Sequence, residues 1–169
     1  HNLAPTSSTT AQMVMGDLMA ISFMELKGFN SKDFAKFHPG GNLGKRLTLT
    51  TGAIAKQNMQ PSVEASTSVK EVISTISKSR MGATAVIDDT GAIIGMITDG
   101  DIRRMLEQHN SIQDLNAADI FHKKPITISS NTLAIEAFDL MKAHDISQLI
   151  VADEGQYKGM IHMHDLMKE

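Results

Sequence analysis

The sequence predicts an α/β (α+β) fold in which two β-α-β-β-α repeats pack about a pseudo-twofold axis, preceded by a helical piece of another domain. Three observations carry this prediction. The stretch Gly95-Met96-Ile97-Thr98-Asp99-Gly100-Asp101 returns as Gly159-Met160-Ile161-His162-Met163-His164-Asp165, so that Gly95 stands to Gly159 as Asp101 stands to Asp165, at one constant spacing. Both copies begin as apolar strands and end on an acidic residue that opens a helix. Ahead of them stands a helix apolar on nearly every side, which nothing else in the first 50 residues can cover.

Thr6-Ser7-Ser8-Thr9-Thr10 supplies candidate N-caps for a first helix over residues 10–27, which Gly28 stops. Met13, Val14, Met15, Leu18, Met19, Ile21, Phe23, Met24 and Leu26 surround it, and such a helix expects burial against several neighbours at once. The chain thus reads as opening partway through a domain, with His1 a cut end or tag remnant. Residues 31–36 predict a short capped helix ended by His38-Pro39-Gly40-Gly41, because the residue before proline is pushed out of the helical region. The organisation expected is a leading piece over 1–46, a linker over 47–52, and repeats over 53–110 and 111–169. The alternating β-branched residues of 46–52 predict an extended linker pairing at a sheet edge.

In the first repeat, residues 61–64 read as a short strand. Ser68-Val69-Lys70-Glu71 is a capping box that starts a helix with Val69, Val72, Ile73 and Ile76 inward. Residues 84–87, the turn 88–91 and residues 93–98 form a hairpin, followed by a helix over 101–107. The second repeat follows suit, with a strand at 126–128, a helix over 132–143, strands at 149–151 and 157–163 around the turn 153–155, and a last helix from Asp165. Each half leaves one sheet face uncovered, so the halves are expected to pack sheet to sheet.

Composition removes whole classes of function. The 169 residues carry a net charge of −3 and no Lys/Arg run longer than two, which excludes a phosphate-tracking nucleic-acid surface. The absence of cysteine excludes disulfides and thiolate metal sites. No apolar run is long enough for a membrane span, so no membrane partner is expected and the location expected is cytoplasmic.

A carboxylate at a strand mouth, beside the N–H groups of a helix start, suits a ribose whose vicinal hydroxyls it accepts from. The ligand-binding candidates are therefore Thr98 and Asp101 in the first copy, and His162 and Asp165 in the second. For either copy alone, an Asp serving only as a helix cap is the competing reading. His162, His164, Asp165 and His144 offer a second competitor, a zinc ion, but without a third converging ligand no metal site is assigned. Arg103 and Arg104 read as a solvated helix face, or as a contact to a ligand phosphate.

The run 95–101 matches throughout the strand-to-helix motif of cystathionine-β-synthase (CBS) domains, a Gly, two apolar residues, Thr or Ser, two further residues and Asp. Residues 159–165 match it except that His162 stands where the hydroxyl residue belongs. The chain thus resembles a tandem CBS pair. Asn2-Leu3-Ala4-Pro5-Thr6-Ser7-Ser8-Thr9-Thr10, Met15-Gly16-Asp17, Phe34-Ala35 and His38-Pro39-Gly40-Gly41-Asn42-Leu43-Gly44-Lys45 resemble the tail of the sugar isomerase (SIS) domain of arabinose 5-phosphate isomerases, which a CBS pair follows. The resemblance implies that the leading piece is a helical remnant of an SIS domain. It implies a parent that interconverts ribulose 5-phosphate and arabinose 5-phosphate without a catalytic cofactor, with His38 a catalytic residue at a subunit boundary of a homo-oligomer, a tetramer. The CBS pair would bind a regulatory nucleotide or CMP-sugar. The alternative is a stand-alone, non-enzymatic CBS module that senses adenosine nucleotides.

Overall fold

The structure is a computed structural model and describes residues 4–30, 33–34, 37, 48–109 and 111–167. The chain divides into two compact units, His1–Leu47 and Thr48–Glu169. Among the described residues no helix is long and apolar enough to cross a membrane.

In the leading unit, α1 (Thr6–Leu26) starts earlier than the predicted residue 10. Pro5 occupies the cap position, and the hydroxyls expected to cap the helix lie inside it instead. Ser8 Oγ donates to the Pro5 carbonyl, and Thr9 and Thr10 Oγ1 donate to that of Thr6. Such back-bonding satisfies a hydroxyl without ending the helix. At the other end Gly28 takes φ +59, its N–H donating to Glu25 and that of Phe29 to Met24, which closes the last turn in a Schellman motif. No described residue of α1 is buried within this unit. The helix predicted over 31–36 is described only at Asp33 and Phe34, and His38 lies outside the described residues.

The second unit opens with α2 (Thr51–Gln57). Thr50 bridges to Leu133 at an edge, yet Thr51 and Gly52 are helical rather than extended as predicted. The reason is local: Thr50 Oγ1 accepts from the Ala53 N–H and so satisfies a donor that a helix start leaves open. Repeat 1 then runs β1 (Ser62–Glu64), α3 (Val69–Ser79), β2 (Ala83–Ile87), β3 (Ile93–Thr98) and α4 (Asp99–Gln108). Repeat 2 runs α5 (Ala117–Ile120), β4 (Thr127–Ile128), α6 (Ala134–Ala143), β5 (Gln148–Asp153), β6 (Gln156–His162) and α7 (Met163–Met167). Each repeat forms a three-stranded sheet, in orders β1-β2-β3 and β4-β5-β6, with the first pair parallel and the hairpin antiparallel. Ser68 Oγ caps α3 as expected, by accepting from the Glu71 N–H, and Val69, Val72 and Ile76 are buried beneath it.

The two sheets meet face to face through Met81, Ala83, Ala85 and Met96 of the first and Ile150 and Met160 of the second. The pseudo-twofold axis passes beside the hairpin turns, where Ala92 pairs with Gln156, its own counterpart in the second repeat. Ile93 N–H donates to Gly155 and Tyr157 N–H to Gly91, both at 3.1 Å.

On the helical faces the repeats exchange elements. Ile54 and Ala55 of α2, which precedes repeat 1, are buried with Leu149, Val151 and Ile161 of repeat 2. Ala117 of α5 and the adjoining Phe121 pack with Val72, Val86 and Ile97 of repeat 1. The exchange leaves no room for a side chain on the first motif glycine, and the second also takes a φ of +132, which favours glycine by itself. A Cβ on Gly95 would stand 2.0 Å from Phe121 Cδ2, and one on Gly159 3.1 Å from Ala55 Cβ.

Gly95→Ala should therefore force the Phe121 ring aside and destabilise the unit by about 1–3 kcal/mol, the usual size of overpacking. Urea unfolding of Gly95→Ala, Phe121→Ala and the double variant checks this. The double variant should lose clearly less than the sum of the two, since the residues are in contact. Strict additivity would show that Phe121 does not sit over Gly95.

Candidate ligand-binding site

The strand-to-helix junctions that carry the two motifs follow from capping chemistry. Thr98 is the N-cap of α4, and Asp101 is its third residue rather than its cap. The two form a capping box. Thr98 Oγ1 accepts from the Asp101 N–H at 3.3 Å, while Asp101 Oδ2 accepts from the Thr98 N–H at 2.8 Å and from its hydroxyl at 2.7 Å. Arg104, one turn on, donates to Asp101 Oδ1, and His122 Nδ1 lies 3.3 Å from Oδ2. The Asp101 side chain is only 10% exposed. That burial raises its pKa, but the Thr98 hydroxyl and amide, Arg104 and the His122 charge together outweigh it and hold the carboxyl below the ordinary range. The stabilisation this brings is in force above the ordinary carboxylate range and is lost as the pH falls through the lowered value. Beside this junction a cavity of about 190 Å³ opens between α4 and α5, lined among others by Asp101, Arg104, His109 and Asp119. Thr98 spends its hydroxyl proton on Asp101 here, so what it offers a neighbour is its oxygen as an acceptor.

The second junction is a variation on the first. Asp165 Oδ2 accepts from the His162 N–H at 2.9 Å, as Asp101 does from Thr98. Where Thr98 adds a hydroxyl, the second copy draws its other donor from elsewhere in the chain: Asn58 Nδ2 donates to the same oxygen at 2.7 Å. His162 and His164 stack with ring centroids 4.9 Å apart, and His162 Nδ1 accepts from the His164 N–H at 3.1 Å. Among the described residues no group of three or more His, Asp and Glu side chains is placed to hold a metal ion.

The structure thus brings Thr98 to Asp101 and His162 to Asp165, one pair at each junction. It also adds two residues that the motif reading passed over, Asn58 and His122. These are related by the same spacing as the motifs they serve, so extending the repeat backwards would have found them. Each reaches the carboxylate of the other repeat because α2 and α5 are exchanged.

Residues 57–108 and 117–169 match the CBS domain family. Among curated proteins, the arabinose 5-phosphate isomerase KdsD of Yersinia pestis is 38% identical over 167 residues, which is 98% of this chain and 51% of that protein. The arabinose 5-phosphate isomerase KpsF of Escherichia coli is 39% identical over 166 residues, 98% of this chain and 50% of that protein. The chain spans about half the length of the curated relatives it matches. Among solved structures, the CBS domain protein PAE2072 from Pyrobaculum aerophilum, complexed with AMP, superposes with a TM-score of 0.63 at 22% identity, covering 72% of this chain and 92% of that one. With a tandem pair of repeats, the full motif at one junction and all but its hydroxyl residue at the other, and a match over more than half its length, the chain belongs to the CBS domain family.

Proposed function

We propose that this chain is the regulatory part of an arabinose 5-phosphate isomerase, with a CBS pair that binds a nucleotide or CMP-sugar at the strand-to-helix junctions. The observation that carries the reading is the extent of the likeness to the isomerases. It runs over 98% of this chain and so takes in the leading unit, whereas the AMP-bound CBS structure covers 72%. A free-standing CBS sensor would give no reason for residues 1–47 to match an isomerase. In the proposed parent the substrate is a sugar phosphate, and His38 serves as acid or base in moving a proton between adjacent carbons, since imidazole titrates near working pH. The parent is then a cytoplasmic homo-oligomer, a tetramer by its resemblance.

Asp101 is the primary ribose acceptor. Its carboxylate is held ionised, and Oδ1 faces the exposed Arg104 beside an open cavity. Asp165 with His162 forms the weaker half-site, because the hydroxyl of the motif is missing there. AMP is the first ligand to try and the CMP-activated octulosonate the second, since the resemblance places the parent at the first step towards that sugar.

Catalysis should need more than this chain holds. The 169-residue chain alone should turn over no ribulose 5-phosphate, since one histidine without a phosphate cradle cannot hold the sugar, while in the parent His38→Ala should cut kcat strongly at unchanged stability. Wild-type turnover by that variant would remove His38 from the site. In calorimetry, Asp101→Ala should weaken nucleotide binding about tenfold or more, from about 1.5–3 kcal/mol for a charged acceptor. Asp165→Ala should lose less, and equal losses would contradict the ranking. If the CMP-sugar inhibits the parent through the CBS pair, deleting residues 53–169 should leave activity and abolish inhibition. Inhibition that survives the deletion would place the ligand at the catalytic pocket.

A further inference from the structure

In the second unit the order of bonding differs from the order of the chain. Residues 49–57 stand before repeat 1, yet among the described residues their hydrogen bonds outside the segment go to repeat 2. The Ala134 N–H donates to the Leu49 carbonyl at 2.8 Å, Thr50 bridges to Leu133, and the Thr51 N–H donates to the Thr132 carbonyl at 2.9 Å. Thr51 Oγ1 donates to the Ser129 carbonyl at 2.6 Å, and the Gly52 N–H to that of Ser130 at 2.9 Å. The approach is close enough that a Cβ on Gly52 would stand 2.8 Å from Ser130 Cβ. Asp153 Oδ1, at the β5–β6 turn, holds the other side of this contact by accepting from Ser129 Oγ and the Ser130 N–H. Leu49, Ile54 and Ala55 pack with Leu149, Val151 and Ile161 in the core of repeat 2. Repeat 1 closes its own core with Ala117 and Phe121, which follow it in the chain. In space, residues 61–121 are thus an insertion into a repeat built from 49–57 and 127–167.

We infer that residues 49–57 couple the leading unit to repeat 2, and that a ligand on the CBS pair acts on residues 1–47 by moving repeat 2 with this segment rather than through the chain's passage from α2 into repeat 1. A displacement is carried by packed side chains and hydrogen bonds that resist it. Towards repeat 2 it meets three backbone bonds, a buried hydroxyl and a filled core. Towards repeat 1 it meets Met59, which is 60% exposed, and the exposed Gln60. The far end of that passage is itself held by repeat 2, where the Tyr157 hydroxyl donates to the Pro61 carbonyl at 2.9 Å. A ligand at the first junction therefore reaches the leading unit across the sheet-to-sheet seam, and one at the second reaches it directly. Either shifts the segment by binding two arrangements of the pair with different affinity. The inference rests on the proposed regulatory reading and names the path that reading uses.

Two insertions in the full-length parent test it, with AMP and the CMP-activated octulosonate as probes and calorimetry in parallel. Gly-Gly placed between Met59 and Gln60 should leave the probe's effect on kcat within about twofold of wild-type, since a surface loop tolerates added length. A flexible insertion between Leu47 and Thr48 should cut that effect about fivefold or more at unchanged Kd, which is the lower end of ordinary allosteric coupling. Loss of the effect on insertion after Met59, at unchanged Kd, would overturn the inference, as would an effect that survives both insertions. A second measurement uses the 169-residue chain with a protease site introduced between Met59 and Gln60. After cleavage, residues 1–59 should stay with the remainder on gel filtration, because their bonds to repeat 2 are intact, and separation of the pieces would overturn the assignment of the segment to repeat 2. Binding that leaves the activity of the wild-type parent unchanged would overturn the coupling while the ligand site stands. No heat with either probe would overturn the nucleotide reading, and the coupling with it.

Discussion

The reciprocal exchange of α2 and α5 is the constraint on which the second unit depends. A three-stranded sheet has two apolar faces, and in each repeat one is closed by the opposing sheet through Ala85, Met96, Ile150 and Met160. The other face is finished by a segment that belongs, in chain order, to the neighbouring repeat. Ile54 and Ala55 fill one core, and Ala117 and Phe121 the other. A repeat on its own would lose part of its core as well as its sheet-to-sheet contact, so the two are expected to fold together. The exchange also brings Asn58 and His122 to the carboxylates, so the contacts that complete the cores determine what surrounds the site.

How much of this was legible depended on whether the signal was local. The constant spacing of the repeat, the Ser68 cap and the hairpin turns at Asp88 and Asp153 are written in adjacent residues, and strands and helices follow from them. The Asp88 turn holds because one carboxylate oxygen accepts from the Thr90 N–H and hydroxyl and from the Ala92 N–H. Element ends were read less well, and for a consistent reason. At Thr50 a β-branched residue suited to a strand became a helix cap, and at Thr98 the hydroxyl moved the start of α4 two residues ahead of Asp101. At Pro5 the cap position was filled without any side-chain acceptor. At Thr50 and Thr98 the chain used a hydroxyl that meets an open N–H group, which residue propensity does not encode. The exchange was invisible for a different reason, since nothing in the pattern of α2 says which of two similar sheets it will cover.

The carboxylates show the same division. That Asp101 and Asp165 stand at equivalent junctions was plain from the repeat, and that they differ was plain from His162. How they differ needed the structure. A helix cap was the competing account of Asp101; the cap is Thr98 and Asp101 completes a capping box from the third position, yet a structural role and a ligand role are compatible on one carboxylate. Oδ2 is taken up by the Thr98 amide and hydroxyl, which stabilise the helix start and hold the group ionised. Oδ1 meets Arg104, whose side chain is 64% exposed.

That exposure decides how readily each half-site can accept a ligand. An ion pair to a solvent-exposed arginine contributes about 0–1 kcal/mol, because water screens it and the long side chain must be ordered to make it. A hydroxyl replacing Arg104 on Asp101 therefore displaces little, and the cap beneath is untouched. At Asp165 the side-chain donor is the part-buried Asn58, which also donates to the Met160 carbonyl. A hydrogen bond sheltered from water contributes more than an exposed ion pair does. The carboxylate of the complete motif is thus met by an exposed arginine, whereas that of the copy with His162 is met by a part-buried amide. The substitution of histidine for the hydroxyl residue, with Asn58 supplying the missing donor, is the change that separates them.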